Sequence, residues 1–429
     1  MIRHQPLLSR SRAANFPIEI ARMAVRLYRS PRRLRLGSLS SDVSLAPNRG
    51  VAPGCHWATT IVKVYCLQPF DGFVKLHPKI ELDVYIDDIQ LALAGYKSRE
   101  ALAHQMVDAA DAMLQVVHVH IQADLAEHKA AVVASDSRLF SMLRRRLGVL
   151  AGIGTKNVAA TALGIDYAAG RTRQSMGFGS QKSRFAKVAA RRHRLRALAK
   201  AGGALATKVA RCGCKPAALY GAEVVGVPCS LLLSLRRTMA ASTIPRAQGR
   251  SLDVTLALSG LEVTKEATAA PICRWAREVW QASLITADRR GGLHRPASRA
   301  ITIRKLVQLW DCARVDEVGR WGNVRGPIGA AKMSMERIGW QWTHPHTVVT
   351  DAGIILNFAQ DSPALVQHHV HLSVARKIER RIAVNTKDPE LSGKRVDLDI
   401  LSAHLRSRAT GALTVQEKVV LKCVAADSF

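Results

Sequence analysis

Leu82-Asp83-Val84-Tyr85-Ile86-Asp87-Asp88-Ile89-Gln90-Leu91-Ala92-Leu93-Ala94-Gly95 is the stretch that decides the fold. Apolar and polar residues alternate up to two adjacent aspartates and then resume, the pattern of a β-hairpin that turns at the acids. Side chains alternate along a strand, so Leu82, Val84 and Ile86 share one face and Asp83, Tyr85 and Asp87 the other. Ile89, Leu91 and Leu93 rebuild the apolar face on the return strand. The tip then presents Asp87 and Asp88, two oxygen donors suited to a hard cation such as Mg²⁺ or Mn²⁺. The bland account of the same residues is a turn, because Asp hydrogen-bonds its own backbone there.

Helical spacing flanks the hairpin on both sides. Upstream, Ile20, Met23, Ala24, Leu27 and Tyr28 line one face of a helix after Pro17. Ala58, Ile61, Val62 and Tyr65 do the same in a second, which Asp71-Gly72 is expected to end. Downstream, Ser98 is an expected N-cap with Glu100 in the first turn. Leu102, Met106, Ala109, Ala110, Met113, Val117 and Ile121 form the stripe of a helix reaching about Ala126, with a short strand at residues 130–134.

The Tyr85-Ile86-Asp87-Asp88 string resembles the Tyr-x-Asp-Asp signature in the palm of reverse transcriptases. Other pieces follow in that family's order. Gly50-Val51-Ala52-Pro53-Gly54-Cys55 and the helical stretch from Trp57 to Tyr65 resemble the loop and helix that contact template and incoming nucleotide. Lys129 resembles the lysine after the palm helix. Leu163-Gly164-Ile165-Asp166-Tyr167 and Ala218-Leu219-Tyr220-Gly221, with a basic tract between them, look like the post-palm region of non-LTR retrotransposon polymerases. The resemblance covers roughly Phe16 to Trp280. It implies two-metal nucleotidyl transfer, with Asp87 and Asp88 holding Mg²⁺ or Mn²⁺, and Lys129 donating a proton to the leaving pyrophosphate or neutralising it. It implies that Gly50, Pro53, Gly54 and Tyr85 position the nucleotide. The implied partners are an RNA template, a DNA primer and deoxynucleotides.

Two departures limit what the resemblance implies. The family's third carboxylate comes from an earlier palm strand, yet no acid precedes Glu19, and Asp42 lies in a Ser-rich loop. The loop has Pro53 where the family usually has Gln. The chain is therefore expected to begin after that strand and to lack polymerase activity by itself while retaining nucleic-acid binding. The alternative is a non-catalytic nucleic-acid-binding protein whose aspartate pair is only a turn.

Charge supports a polyanionic partner in either case. The 429 residues carry a formal net charge of +30, from 63 Lys and Arg against 33 Asp and Glu. Such a surplus repels itself unless polyanions share it. From Arg171 to Lys215 no acid occurs, while Arg184, Lys187, Arg191, Arg192, Arg194 and Arg196 do. In the family this is the thumb, which grips phosphates. The eight cysteines are spaced neither as a disulfide scaffold nor as a zinc site.

The expected fold is α+β: a partial palm over residues 1–170, a basic helical thumb and connection over 171–284, and a helical region over 285–429. Trp310, Trp321, Trp340 and Trp342 are expected to give that last region its own core. Trp275 is expected to anchor a helix to the palm. No apolar run is long enough for a spanning helix. The Arg- and Ser-rich start, Met1 to Leu36, has the composition of a mitochondrial presequence. Family order favours an internal helix there, and hence a nuclear or cytoplasmic location.

Overall fold

The computed structural model describes residues 2–33, 35–52, 54–95, 98–126, 130–134, 136–151, 159–168, 179–243, 251–288, 303–312, 320–324, 326–385, 398–407 and 412–428. Helices predominate and the strand ladders are small and antiparallel, so the fold class is α+β. The chain divides into two units, Met1–Leu163 and Gly164–Phe429. Pro53, Lys129 and residues 169–178 lie outside the described residues.

In the first unit, helices α1 (His4–Ala13) and α2 (Ile18–Arg29) precede a minimal ladder of β1 (Arg35–Leu36) and β2 (Leu39–Ser40). Helix α3 (Ala58–Leu76) leads into the hairpin of β3 (Glu81–Tyr85) and β4 (Asp88–Ala92). Helices α4 (Arg99–Gln115) and α5 (Ser137–Ala151) follow, and β5 (Ala159–Ala162) comes last. Leu7, Tyr28, Ile61, Tyr65, Phe73 and Leu82 share one core with Met113 and Ile121. The Tyr65 hydroxyl donates to the Ile121 carbonyl at 3.1 Å, satisfying a buried polar group.

Several local expectations change. Helix α3 runs through Pro69 and through Asp71-Gly72 rather than ending there. A mid-helix Gly costs about 1 kcal/mol, which the burial of Phe73 at 2% exposure outweighs. Of the expected face of α2, Ala24 and Tyr28 are buried, while Met23 and Leu27 are more than half exposed and Ala21 and Val25 are buried in their place. Ser98 does cap α4, its hydroxyl accepting from the Ala101 amide. The helix passes into a π-helical stretch, Val116–Ile121, and stops at Gln122, whose φ is +58°. Residues 130–134 form no strand.

The second unit opens with β6 (Ile165–Ala168) and continues through α6 (Gly179–Ala189), α7 (Arg192–Gly202) and α8 (Ala204–Val209). Short helices α9 (Lys215–Leu219) and α10 (Ala222–Val225) lead to α11 (Cys229–Ala240), α12 (Leu252–Ser259), the long α13 (Thr264–Asp288) and α14 (Ile303–Cys312). Helix α15 (Pro327–Arg337) precedes a three-stranded sheet of β7 (Gln341–His344), β8 (Thr347–Val349) and β9 (Ile355–Asn357). Helices α16 (Pro363–Asn385), α17 (Leu398–Arg406) and α18 (Val415–Ser428) end the chain.

The boundary expected at 284/285 falls inside α13, whose Ile272, Trp275, Ala276 and Val279 pack in one core with Trp340, Val348, Phe358 and Val370. Residues on both sides of that boundary therefore share a core. The Trp275 indole donates to the Pro345 carbonyl at 2.7 Å, which fixes α13 to the β7–β8 turn. Trp342 stands edge-on to Trp275 at 5.4 Å. Trp275 thus anchors α13 to the sheet of its own unit.

Helix α11 holds the sharpest surprise. Leu232, Leu235 and Met239 are buried at helical spacing, and the charged Arg236 among them is only 6% exposed. Its guanidinium donates to Glu262 at 2.8 and 3.2 Å and pairs with Asp253, which also pairs with Arg381 at 2.5 Å. Burial pushes the Arg236 guanidinium down, and the charges and hydrogen bonds of Glu262 and Asp253 more than reverse that. Removing one partner of such a buried pair costs about 3–5 kcal/mol. Arg236→Gln is therefore expected to destabilise the second unit by about that much in urea unfolding followed by tryptophan fluorescence. Arg237→Gln, on an exposed neighbour, should change the midpoint little.

A second network ties the loop after β8 to α16. Asp351 accepts from Arg376 at 2.5 and 2.9 Å, from Ser373 at 2.5 Å and from Arg380 at 3.1 Å. Burial alone would raise this carboxyl, but the hydrogen bonds and charges of Arg376, Ser373 and Arg380 hold it at about 2. A depressed folded-state pKa stabilises fully above the unfolded value, near 4, and that stability disappears as pH falls toward 2. Its size is about 2 kcal/mol. Acid titration should show the wild-type chain losing this increment between about pH 4 and pH 2, a step that Asp351→Asn removes.

Candidate functional site

The hairpin forms, but its turn comes one residue before the expected Asp87-Asp88 pair. Leu82 pairs with Leu91, Asp83 with Gln90, Val84 with Ile89 and Tyr85 with Asp88. Ile86 and Asp87 form the two-residue turn, and Ile86 takes a positive φ of +58°. A β-branched side chain there costs about 1–3 kcal/mol. Only the base of the ribbon is buried: Leu82 is covered, Ile89, Leu91 and Leu93 are half-buried, and Tyr85 and Ile86 are 59% and 55% exposed.

Asp87 sits in the turn, and Asp88 is the first residue of the return strand. Both are exposed. Cross-strand pairing puts Tyr85, Asp88, Asp83 and Gln90 on one face. Asp83 is one pleat repeat, about 6.6 Å, along the strand from Tyr85. Among the described residues no group of three His, Cys, Asp or Glu comes together to hold a metal ion. The pair fits Mg²⁺ only as a partial site, since that ion takes one or two carboxylates and completes its octahedron with water and phosphate oxygens.

The loop at Gly50 and Gly54 belongs to the same unit. Both glycines adopt positive φ, +95° and +81°. The Gly50 amide donates to the Ile2 carbonyl at 2.7 Å, and its own carbonyl accepts from the His4 ring at 2.9 Å. Val51, Ala52 and Cys55 lean on the core that Leu82 and Ile89 also join. Among the described residues no hydrogen bond or ion pair joins this loop to the hairpin tip.

The cationic tract forms two helices, α6 and α7, joined at Ala190-Arg191. Phe185, Val188 and Leu195 are buried, as helical spacing predicts. The six named cations separate into two roles. Arg184 turns to its own protein: it donates to the carbonyls of Gly164 and Tyr220 and lies over the Tyr220 ring at 5.6 Å. Arg192 docks α7 on α11 through the Ser234 carbonyl at 3.3 Å and the Thr238 hydroxyl at 3.4 Å. Lys187, Arg191, Arg194 and Arg196 are exposed, and among the described residues no carboxylate pairs with them.

Arg237 on α11, also exposed, adds to this surface. Burial, then the charges of Arg196 and Arg237, push the Arg192 guanidinium down, the electrostatic mark of crowded cations. The aspartate tip lies in the first unit and these cations in the second. No helix among the described residues is long and apolar enough to cross a membrane. No family model, curated protein or solved structure matches the chain.

Proposed function

We propose that the chain binds nucleic acid through α6, α7 and the adjoining face of α11, and that its hairpin is a two-carboxylate site of the reverse-transcriptase palm kind. The observation that carries the first part is a surface of Lys187, Arg191, Arg194, Arg196 and Arg237 with no ion-paired carboxylate among the described residues, in a chain of net charge +30. Phosphates are the natural counter-charge: each one neutralised releases condensed cations, so affinity falls steeply with salt. Contacts of this type position a duplex or a single strand without reading its sequence.

For the hairpin, Asp87 and Asp88 would hold Mg²⁺ or Mn²⁺, the ion supplying charge neutralisation at a phosphate. Tyr85 is the cross-strand neighbour of Asp88 and would face the sugar or base of a bound nucleotide. Two carboxylates make an incomplete two-metal site, so the chain by itself is proposed to bind a primer–template without extending it. The geometry of the turn favours a second reading as well: the two-residue connection accounts for an Asp at 87 without any ligand.

Fluorescence anisotropy with an RNA–DNA hybrid, titrated across salt, tests the surface. Replacing Lys187, Arg191, Arg194 and Arg196 together with Gln should flatten the log K against log salt slope by about 3–4, at about 0.9 per lost duplex phosphate contact. An unchanged slope would place the nucleic acid elsewhere.

The hairpin is tested by Mg²⁺ titration of the hybrid-bound chain. The metal-site reading expects saturable binding that Asp87→Asn and Asp88→Asn each weaken at least tenfold; the turn reading expects identical curves. Primer extension with the purified chain should give no product. Deoxynucleotide incorporation that Asp87→Asn abolishes would refute the incomplete-site proposal.

A further inference from the structure

The second unit contains an open cavity of about 270 Å³ bordered by α11, the start of α13, the C-terminal end of α15 and α16. One part of its wall is apolar: Leu232, Leu233, Ile338, Val374 and Ile378. The rest is cationic, from Arg236, Arg337, Lys377 and Arg381, with the Cys229 thiol among them. Of the four cations, Arg236 and Arg381 are neutralised by Glu262 and Asp253.

Arg337 and Lys377 have no such partner. Among the described residues neither forms an ion pair with a carboxylate. The Arg337 guanidinium donates to the Val227 carbonyl, approaches the Thr268 hydroxyl at 3.4 Å and the Cys229 sulfur at 3.8 Å, and lies over the Trp321 ring at 4.9 Å. Its Nε is buried with no acceptor. The Lys377 ammonium donates only to the Arg337 carbonyl. Burial pushes both groups down, and the charges of Arg381 and Arg337 lower Lys377 further. A partly buried guanidinium with an unsatisfied donor, an exposed ammonium beside it and an apolar wall make one cavity suited to a guest of complementary charge.

We propose that this cavity binds a small organic phosphate monoester, its dianionic head between Arg337 and Lys377 and its apolar body against Leu233, Ile338 and Ile378. The charge matches: two uncompensated cations meet a head carrying about −1.5 to −2 near neutral pH. The donors also match, because the Arg337 Nε lacks an acceptor and the Lys377 ammonium keeps N–H groups beyond the one given to the Arg337 carbonyl. The apolar wall selects an ester over inorganic phosphate. This site is separate from the surface of α6 and α7, none of whose cations lines it.

Cys229 and Cys212 are both exposed thiols of the second unit, and only Cys229 lines the cavity. Alkylation of the full chain by N-ethylmaleimide, mapped by mass spectrometry, can therefore report on the cavity, with Cys212 as internal reference. Hexyl phosphate should slow Cys229 at least tenfold, at concentrations at least tenfold below those inorganic phosphate needs, and leave Cys212 unaffected. Lys377→Gln, on an exposed residue, should raise the protecting concentration tenfold or more. Arg337→Gln should do the same where it folds, and Lys377→Gln decides where it does not.

Equal slowing of Cys212, equal protection by hexanol, or an unchanged Lys377→Gln curve would overturn the proposal. A 5′-phosphorylated oligonucleotide that shields Cys229 more than its 5′-hydroxyl counterpart would identify a polymer end as the source of the ester. Equal shielding by the two, with hexyl phosphate still protecting, would identify a free small molecule.

Discussion

The buried guanidinium of Arg236 sets the terms for the second unit. A charge at 6% exposure is tolerable only with counter-charge at contact, and Asp253 and Glu262 supply it. Each of these acids also serves a second purpose. Glu262 accepts the Thr264 amide at 2.8 Å and so caps α13, while Asp253 reaches Arg381 on α16. One charge network therefore joins α11, α12, α13 and α16, the four helices around which the unit's cores are arranged.

Economy of this kind follows from composition. With 33 acids for 63 Lys and Arg, no arrangement neutralises every cation, and burial decides which acids are committed first. Asp351 holds Arg376 and Arg380 together, as Asp253 holds Arg236 and Arg381. Surfaces that border water can leave their cations unpaired at little cost, because solvent and salt screen them. The acid-free stretch that forms α6 and α7 is where this surplus is concentrated in sequence. Its unpaired charge is thus the other face of the economy that commits Asp253, Glu262 and Asp351 to Arg236, Arg381, Arg376 and Arg380.

What the sequence revealed and what it concealed divide along the same line. The hairpin was legible because a period of two is a local signal, though its turn falls at Ile86-Asp87 and not at the Asp-Asp pair, and the buried faces of α6 and α7 were legible because 3.6-residue spacing is local too. Arg236 was not, since nothing near it in the chain says that Glu262 and Arg381 will meet it. Distance along the chain hides the role of Arg184 in the same way: its guanidinium is taken up by carbonyls 20 and 36 residues away, leaving less of it for a phosphate. Gly72 misled for a related reason, because the burial of Phe73 overrides a propensity that is weak by comparison. The core shared by Trp275, Trp340 and Phe358 likewise depends on contacts that cross the boundary drawn at 284/285.

The aspartate tip obeys different rules from the cores. Five cross-strand pairs hold it, its outer half buries almost nothing, and Ile86 keeps a left-handed backbone that its exposed side chain does not offset by packing. In the charge networks of the second unit, acids are drawn into contact with cations. Asp87 and Asp88 instead stand side by side without one among the described residues, in a chain with a surplus of thirty positive charges. Folding of the core does not require that arrangement, since Leu82 and Leu91 secure the ribbon at its base. Two neighbouring carboxylates with no guanidinium or ammonium paired to them among the described residues gain most from a cation that arrives from solution, and a divalent ion accompanied by a phosphate is the one whose coordination such a pair can begin.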